Sequence, residues 1–285
     1  MIKSAIVVGT GGVANFCANE LQKRGVTVSF VESRSDGVGT SEAICRRKGI
    51  PYECLGKDSL TSRLVSIDDD TLVVSASNRY LFPEQVLAKH NLLIVNYHGA
   101  LLPKYPGRNA EAWAIYNCET EGGITWHKVV KDVDAGEILI QKVVPISDTT
   151  TSFSLLREYA KIAQQGFAGI VDGLLSGDYC AMKQVGERGE IMYSWMRPND
   201  GLLDLSWSGK KISAFLRAFD YGPLKVLGNP KVLMDGRLYD IDGYEFSNTK
   251  ASADIGGSNS QSDKTCVVCK DDLVVKMTLS QKHKE

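Results

Sequence analysis

Four short runs of branched apolar residues constrain this chain more than any other feature: Ser4–Val8 (SAIVV), Val26–Val31 (VTVSFV), Leu72–Ser75 (LVVS) and Leu92–Val95 (LLIV). Near-continuous apolar runs of this length suit strands buried on both faces, as in a parallel sheet covered by helices. Helical patterning fills the gaps, through Ala18, Leu21 and Arg24 after the first run and over Ser41–Lys48 after the second. Strands alternating with helices predict βαβ units and a mainly parallel sheet. Thr125–Val130 and Ile138–Val144 also read as strands, but no long crossover separates them, so they suit an antiparallel pair. Thr151–Leu175 returns to helix, with Leu156, Tyr159, Ile162, Phe167 and Leu174 at roughly helical spacing.

From about Lys183 the patterning changes. Glu187-Arg188-Gly189-Glu190 is polar, and short strands and turns follow at Lys231–Leu233, Asp235-Gly236 and Leu238–Tyr244. An Asp-Gly pair between apolar residues predicts a hairpin. Ala251–Asp263 is small and polar, a long loop, and Thr265–Leu279 supplies a strand pair around Asp271-Asp272. Only Ser208–Phe219 reads as helix here. With 285 residues the chain is long enough for two domains. The pattern predicts an α/β, Rossmann-like domain over 1–188 and a smaller β-rich domain over 189–285.

Composition removes several classes. A chain 43% hydrophobic and 24% charged is an ordinary globular one, which excludes disorder, collagen and coiled coil for the whole. With 33 basic against 34 acidic residues, no global charge draws it to nucleic acid or a membrane surface. No apolar run approaches the roughly 20 residues that span a bilayer. The opening MIKSAIVVGTGG reads as a strand and a turn, not a signal peptide. Seven cysteines at scattered spacing argue for reduced thiols, so a cytoplasmic location is expected.

Three motifs carry little. Gly9-Thr10-Gly11-Gly12 follows a strand, but Ala14 stands where a dinucleotide fingerprint wants glycine, and Glu32 meets the acidic position only loosely. Cys266-x-x-Cys269 is half of a zinc spacing, and on a strand its side chains point to opposite faces, so no metal is assigned. Arg34, Arg46, Arg47 and Lys48 sit among acids, without the aromatics of a nucleic-acid surface.

The stretch from Asn96 to Gly136 differs in kind. Asn96 and His98, two apart after the run LLIV, share one face just beyond a strand's carboxyl end, where open α/β sheets place ligands. A Pro- and Gly-rich loop over Leu101–Gly107 follows, then a helix begun near Asn109. Thr125 and His127 share another strand face, and Asp134 lies in a Val-Asp-Ala-Gly turn able to return a carboxylate to His98. These groups suit acyl transfer: an amide donates to a developing oxyanion, and an imidazole moves protons while a carboxylate orients it.

Asn96-Tyr97-His98, Leu101-Leu102-Pro103, Gly107, Gly123-Ile124-Thr125-Trp126-His127 and Asp134-Ala135-Gly136 together resemble the catalytic core of the 10-formyltetrahydrofolate-dependent formyltransferases. A weaker likeness extends over residues 1–175, and Trp207, Ile212 and Arg217-Ala218-Phe219 resemble the start of the smaller barrel domain of longer members. The resemblance implies that 1–188 is the catalytic domain and that Asn96, His98 and Asp134 are catalytic, with Thr125 and His127 in support. It implies a folate site between Arg79–Val86 (Arg79, Tyr80, Leu81, Phe82 and Val86) and Lys131–Asp134, which includes Asp132 and Val133. By the same likeness protonated His98, its pKa raised by Asp134, stabilises the oxyanion beside Asn96. Tyr105, Arg108, Asn109, Glu111 and Trp113 would border the acceptor: Arg108 meeting a phosphate or carboxylate, Glu111 an ammonium group, Trp113 an apolar body.

Departures from the family pattern narrow the acceptor. Gly99-Ala100 replaces the frequent Pro-Ser, and Arg108–Trp113 is unlike the Ala-Ala-Pro run of the methionyl-tRNA enzymes. The segment resembles the small-amine members, which formylate amino sugars on nucleotides or amino-acid units of peptide products. Gly-Ile-Thr-Trp-His leans toward the second group. The expected function is therefore N-formyl transfer from 10-formyltetrahydrofolate, without a metal, to a small primary amine. The alternatives are methionyl-tRNA formylation, for which residues 191–285 lack a basic excess, a hydrolase releasing formate, and a non-catalytic nucleotide-binding module. The second domain would serve as a lid or a homodimer surface.

Overall fold

The computed structural model describes residues 1–34, 39–247, 263–271 and 273–281, and forms two compact units. The first contains residues 1–108, 122–144 and 157–192; the second contains 109–121, 145–156 and 193–285. The second unit thus draws on two segments that precede the expected division at 188/189.

The first unit is built on β1 (Ser4–Gly9), α1 (Gly11–Lys23), β2 (Thr27–Ser33), α2 (Glu42–Lys48), β3 (Tyr52–Leu55), α3 (Lys57–Val65), β4 (Thr71–Ala76), α4 (Glu84–Leu87) and β5 (Leu92–His98). With α5 (Ala110–Tyr116) between them in the chain, β5 leads on to β6 (Glu121–Lys128) and β7 (Ile138–Pro145), and the long helix α6 (Ser152–Ser176) follows. The sheet order is β3-β2-β1-β4-β5-β6-β7. The first five strands in that order pair in parallel, and β6 runs antiparallel to β5. Of these elements β3, α3 and α4 have no counterpart in the pattern read from sequence. The four apolar runs are all strands, and Val7, Val8, Val73 and Val74 are fully buried between helical layers.

β5 does not stop at Val95. It continues through His98 because Asn96 pairs with His127 and His98 with Thr125 on β6. The pleat turns Tyr97 and Trp126 to the other face, where the rings lie 5.7 Å apart and the Trp126 indole donates to the Ala163 carbonyl of α6 at 2.9 Å. One face of these strands is therefore packed, and the opposite face holds the polar residues.

The second unit contains β8 (Leu202–Leu203), α7 (Gly209–Phe219), β9 (Lys231–Met234), β10 (Arg237–Ser247), β11 (Asp263–Lys270) and β12 (Leu273–Ser280), in sheet order β11-β12-β10-β9-β8. Asp235 and Gly236, at φ 50° and 72°, make the tight turn between β9 and β10. Ser208 caps α7 by accepting from the Lys211 N–H, and Ile212, Phe215, Leu216 and Phe219 form its buried stripe. The loop expected over Ala251–Asp263 lies, apart from Asp263, outside the described residues, as does Asp272. No helix among the described residues is long and apolar enough to cross a membrane.

Candidate active site

Ser75, Asn96 and His127 lie opposite one another on neighbouring strands β4, β5 and β6. The Ser75 hydroxyl donates to Asn96 Oδ1 at 2.7 Å. The other end of the amide, Nδ2, lies 3.1 Å from His127 Nε2. His127 Nδ1 lies 2.8 Å from the Lys128 carbonyl, an acceptor only, so that nitrogen carries the hydrogen, and in this tautomer Nε2 is the acceptor that faces the Asn96 amide.

Asp134 completes the group from a left-handed turn, φ 52°, which an aspartate tolerates. Its Oδ1 is 3.4 Å from His127 Nε2, and its Oδ2 is 3.4 Å from His98 Nδ1. The Gly107 N–H donates to Oδ2 at 2.8 Å. His98 Nε2 donates to the Tyr105 carbonyl at 2.8 Å. One buried carboxylate therefore serves two imidazoles, each fixed on its far side by a backbone carbonyl.

The electrostatics correct one expectation. Burial lowers the His98 pKa, and the nearby Asp134 charge, though it pulls upward, does not offset it. For Asp134, burial opposes ionisation but is outweighed by His98, by His127 and by the Gly107 N–H, which hold it well below the usual carboxylate range. Near neutrality the site holds an ionised Asp134 beside a neutral His98. With Nε2 donating to Tyr105, the lone pair of His98 Nδ1 faces a carboxylate oxygen, and this nitrogen is where an incoming proton lodges.

Two loops carry these groups. Thr125, fully buried, donates to the Ala100 carbonyl at 2.6 Å and accepts from the Leu102 N–H and from Gln141, so it clamps the loop that contains the cis Leu102–Pro103 bond. At Gly107, φ +99°, a Cβ would stand 2.2 Å from the Met192 carbonyl oxygen, so only glycine fits. Met192 pairs with this loop through its N–H to the Pro106 carbonyl and its carbonyl from the Arg108 N–H. Gln184 donates to the Asp134 and Gly136 carbonyls at 2.7 and 2.9 Å, and Arg188 donates to the Val133 carbonyl. Residues 184–192 are thus a strap that ties both loops.

The segment expected to hold folate divides between core and surface. Tyr80 and Val86 are buried in the core that includes Ile6, Val73 and Ile94, and the Tyr80 hydroxyl pairs with Thr61 at 2.8 Å. Phe82 packs edge-on to Tyr80, whereas Leu81 is 69% exposed and Arg79 is also exposed. Asp132 is exposed and Val133 half-buried. Lys131 pairs with Glu84 at 3.6 Å, so the two expected segments are neighbours.

The acceptor residues fare unevenly. Tyr105, φ 53°, contributes its carbonyl to His98. Arg108 is half-buried, its pKa lowered by burial and by Arg79 against an upward pull from Asp134. Asn109, φ 54°, precedes α5. Glu111 is corrected: its buried carboxylate accepts from Tyr221 at 2.7 Å and its pKa is raised by burial, so it is not free to meet an ammonium group. Trp113 packs edge-on to Tyr116, and its indole N–H is buried without a hydrogen-bond partner among the described residues.

Ser75, Asn78, Gln141, Gln184 and Arg188 were missed by sequence reasoning. A signal existed for the first two, since polar Ser75, Ser77 and Asn78 end a buried strand as Asn96 and His98 do. The N-terminal acid is occupied: buried Glu32 accepts from the Thr40 and Ser41 N–H groups at 3.0 and 2.6 Å. Cys266 is buried and Cys269 exposed, as alternation along β11 requires.

A family model described as formyl transferase matches residues 3–171. GDP-perosamine N-formyltransferase of Brucella melitensis is 29% identical over 245 residues, 83% of this chain and 91% of its own. Methionyl-tRNA formyltransferase of Desulfotalea psychrophila is 29% identical over 167 residues, 58% of this chain and 51% of its own. The N-formyltransferase of Helicobacter canadensis, solved with folinic acid and dTDP-3-aminofucose, shares the fold at TM-score 0.72 and 17% identity, covering 99% of this chain and 100% of that one.

Proposed function

The chain belongs to the formyl transferase family, and we propose that it formylates the primary amine of a nucleotide-linked amino sugar. The observation that carries this reading is the cluster of Asn96, His98, His127 and Asp134 at the end of β5 and β6. 10-Formyltetrahydrofolate supplies the formyl carbon and leaves through the nitrogen that bore it. The segments Arg79–Val86 and Lys131–Asp134 suit its flat ring, with neighbouring backbone groups and the exposed Leu81 side chain.

The neutral amine of the acceptor attacks the formyl carbon, and the carbonyl oxygen becomes an oxyanion. Asn96 Nδ2 carries two hydrogens; one holds His127 and the second serves the oxyanion. His98 Nδ1 takes the proton lost by the amine, directly or through water, and Asp134 pairs with the imidazolium so formed. The same proton then passes to the departing nitrogen as its bond to the formyl carbon breaks. The products are a formamide and tetrahydrofolate. In this scheme His98 starts neutral and moves a proton, instead of starting protonated.

A sugar nucleotide is favoured over the amino-acid acceptors suggested by Gly-Ile-Thr-Trp-His because the Brucella relative covers most of both chains. It is favoured over tRNA because that relative covers only 58% of this chain and residues 191–285 lack a basic excess. Mass spectrometry after incubation with 10-formyltetrahydrofolate and a panel of amines tests the reading. A nucleotide-linked amino sugar should gain one formyl group. Formylation of methionyl-tRNA alone, or release of formate alone, would replace it.

A further inference from the structure

We propose that Ser75 is a positioning residue for formyl transfer, acting with Asn78 to fix which end of the Asn96 amide faces the reacting carbonyl. This rests on Asn96 being the oxyanion donor. The two ends of a carboxamide have nearly the same shape and opposite hydrogen-bonding character. Turned over, Asn96 would present an acceptor to the oxyanion and repel it.

A chain of hydrogen bonds with one polarity prevents this. It starts at the Tyr80 N–H, which donates to Asn78 Oδ1 at 2.9 Å and so fixes the Asn78 amide. Asn78 Nδ2 donates back to the Tyr80 carbonyl at 3.1 Å and on to Ser75 Oγ at 3.3 Å. With its oxygen accepting, the Ser75 hydroxyl directs its own hydrogen to Asn96 Oδ1 at 2.7 Å. Asn96 Nδ2 then points to His127 Nε2, an acceptor because His127 Nδ1 donates to the Lys128 carbonyl. Backbone groups set the direction at both ends, an N–H at Tyr80 and a carbonyl at Lys128. Ser75 is buried at 2% exposure, on the strand beside β5 and in register with Asn96. The chain also ties the amide to the backbone of the segment assigned to folate, so donor binding and amide orientation share one support.

Steady-state kinetics on Ser75→Ala, Asn96→Ala, the variant that combines them, and Asn78→Asp tests the relay. Ser75→Ala should lower kcat about three- to tenfold, the worth of one neutral hydrogen bond, with KM for both substrates unchanged. In an Asn96→Ala background the same change should cost nothing further, because there is no amide left to orient. Asn78→Asp should lower kcat at least as far as Ser75→Ala, since a carboxylate there has no N–H and draws the Ser75 hydrogen away from Asn96. Wild-type kcat in folded Ser75→Ala, or an equal loss in the Asn96→Ala background, overturns the proposal. Should Ser75→Ala not fold, wild-type kcat in Asn78→Asp overturns it. Full activity in Asn96→Ala sinks the oxyanion assignment, whereas a crippled Asn96→Ala beside an unaffected Ser75→Ala sinks the relay alone.

Discussion

Asp134 Oδ2 lies 3.4 Å from His98 Nδ1, on the far side of the ring from the Tyr105 carbonyl that accepts from Nε2. An imidazolium satisfies both neighbours and a neutral ring only one, yet burial keeps the pKa below that of an ordinary histidine. In the proposed reaction the pair would receive a proton during turnover and release it again. The acid limb of the rate profile should fall below the usual histidine value of about 6.5. Asp134→Asn removes the charge that favours the imidazolium, so kcat should drop by about 10²–10⁴ and the His98 pKa should move lower still. NMR titration of the His98 ring checks the second part; a pKa that rises in the variant contradicts the pairing.

The same shifts bear on stability. Folded His98 and folded Asp134 each bind protons less readily than in the unfolded chain. The unfolded state therefore binds more protons as pH falls through the unfolded histidine value, and again below the usual carboxylate range, and stability is lost in both windows. Melting temperature should decline from pH 7 to pH 5, and His98→Gln should flatten that decline. An unchanged slope in the variant would assign the effect to other groups.

Gly107 tests the loop. Any Cβ there meets the Met192 carbonyl, and the residue also holds Asp134 through its N–H. Gly107→Ala should cost about 1–3 kcal/mol of stability, as strain at positive φ does, together with most of the activity. Thermal melts and kcat measured on one preparation should fall together, whereas loss of neither would show that the loop moves freely away from Met192.

Arg108 and Glu111 separate acceptor recognition from packing. Arg108→Ala should raise KM for an anionic acceptor by tenfold or more, the worth of a charged hydrogen bond, and leave the donor KM unchanged. Tyr221→Phe removes the hydroxyl that holds the buried Glu111 carboxylate and should cost about 1–3 kcal/mol of stability, with no change in acceptor KM. A Tyr221→Phe enzyme of native stability and altered acceptor KM would return Glu111 to the acceptor site.

Much of the site was legible in the sequence because strand periodicity is local. Asn96 with His98, and Thr125 with His127, are each two apart, so one face follows at once, and a Val-Asp-Ala-Gly turn announces itself through its glycine. What brings groups together across strands is not local. Ser75 meets Asn96 through the register of β4 on β5, and Gln184 reaches Asp134 from 50 residues downstream. Glu111 was misjudged because a charge in the first turn of a helix ordinarily faces water. Its partner stands 110 residues away. The sign of the His98 shift depends on burial weighed against one charge, and burial is a property of the folded unit.

Single-turnover formyl transfer by Asn96→Ala, followed by mass spectrometry with 10-formyltetrahydrofolate and a nucleotide-linked amino sugar, isolates the chemical step. Loss of one oxyanion donor should slow it by about 10²–10³, with the fold intact by circular dichroism. A wild-type rate in the folded variant would contradict the role of Asn96 and with it the assignment of this cluster as the catalytic site.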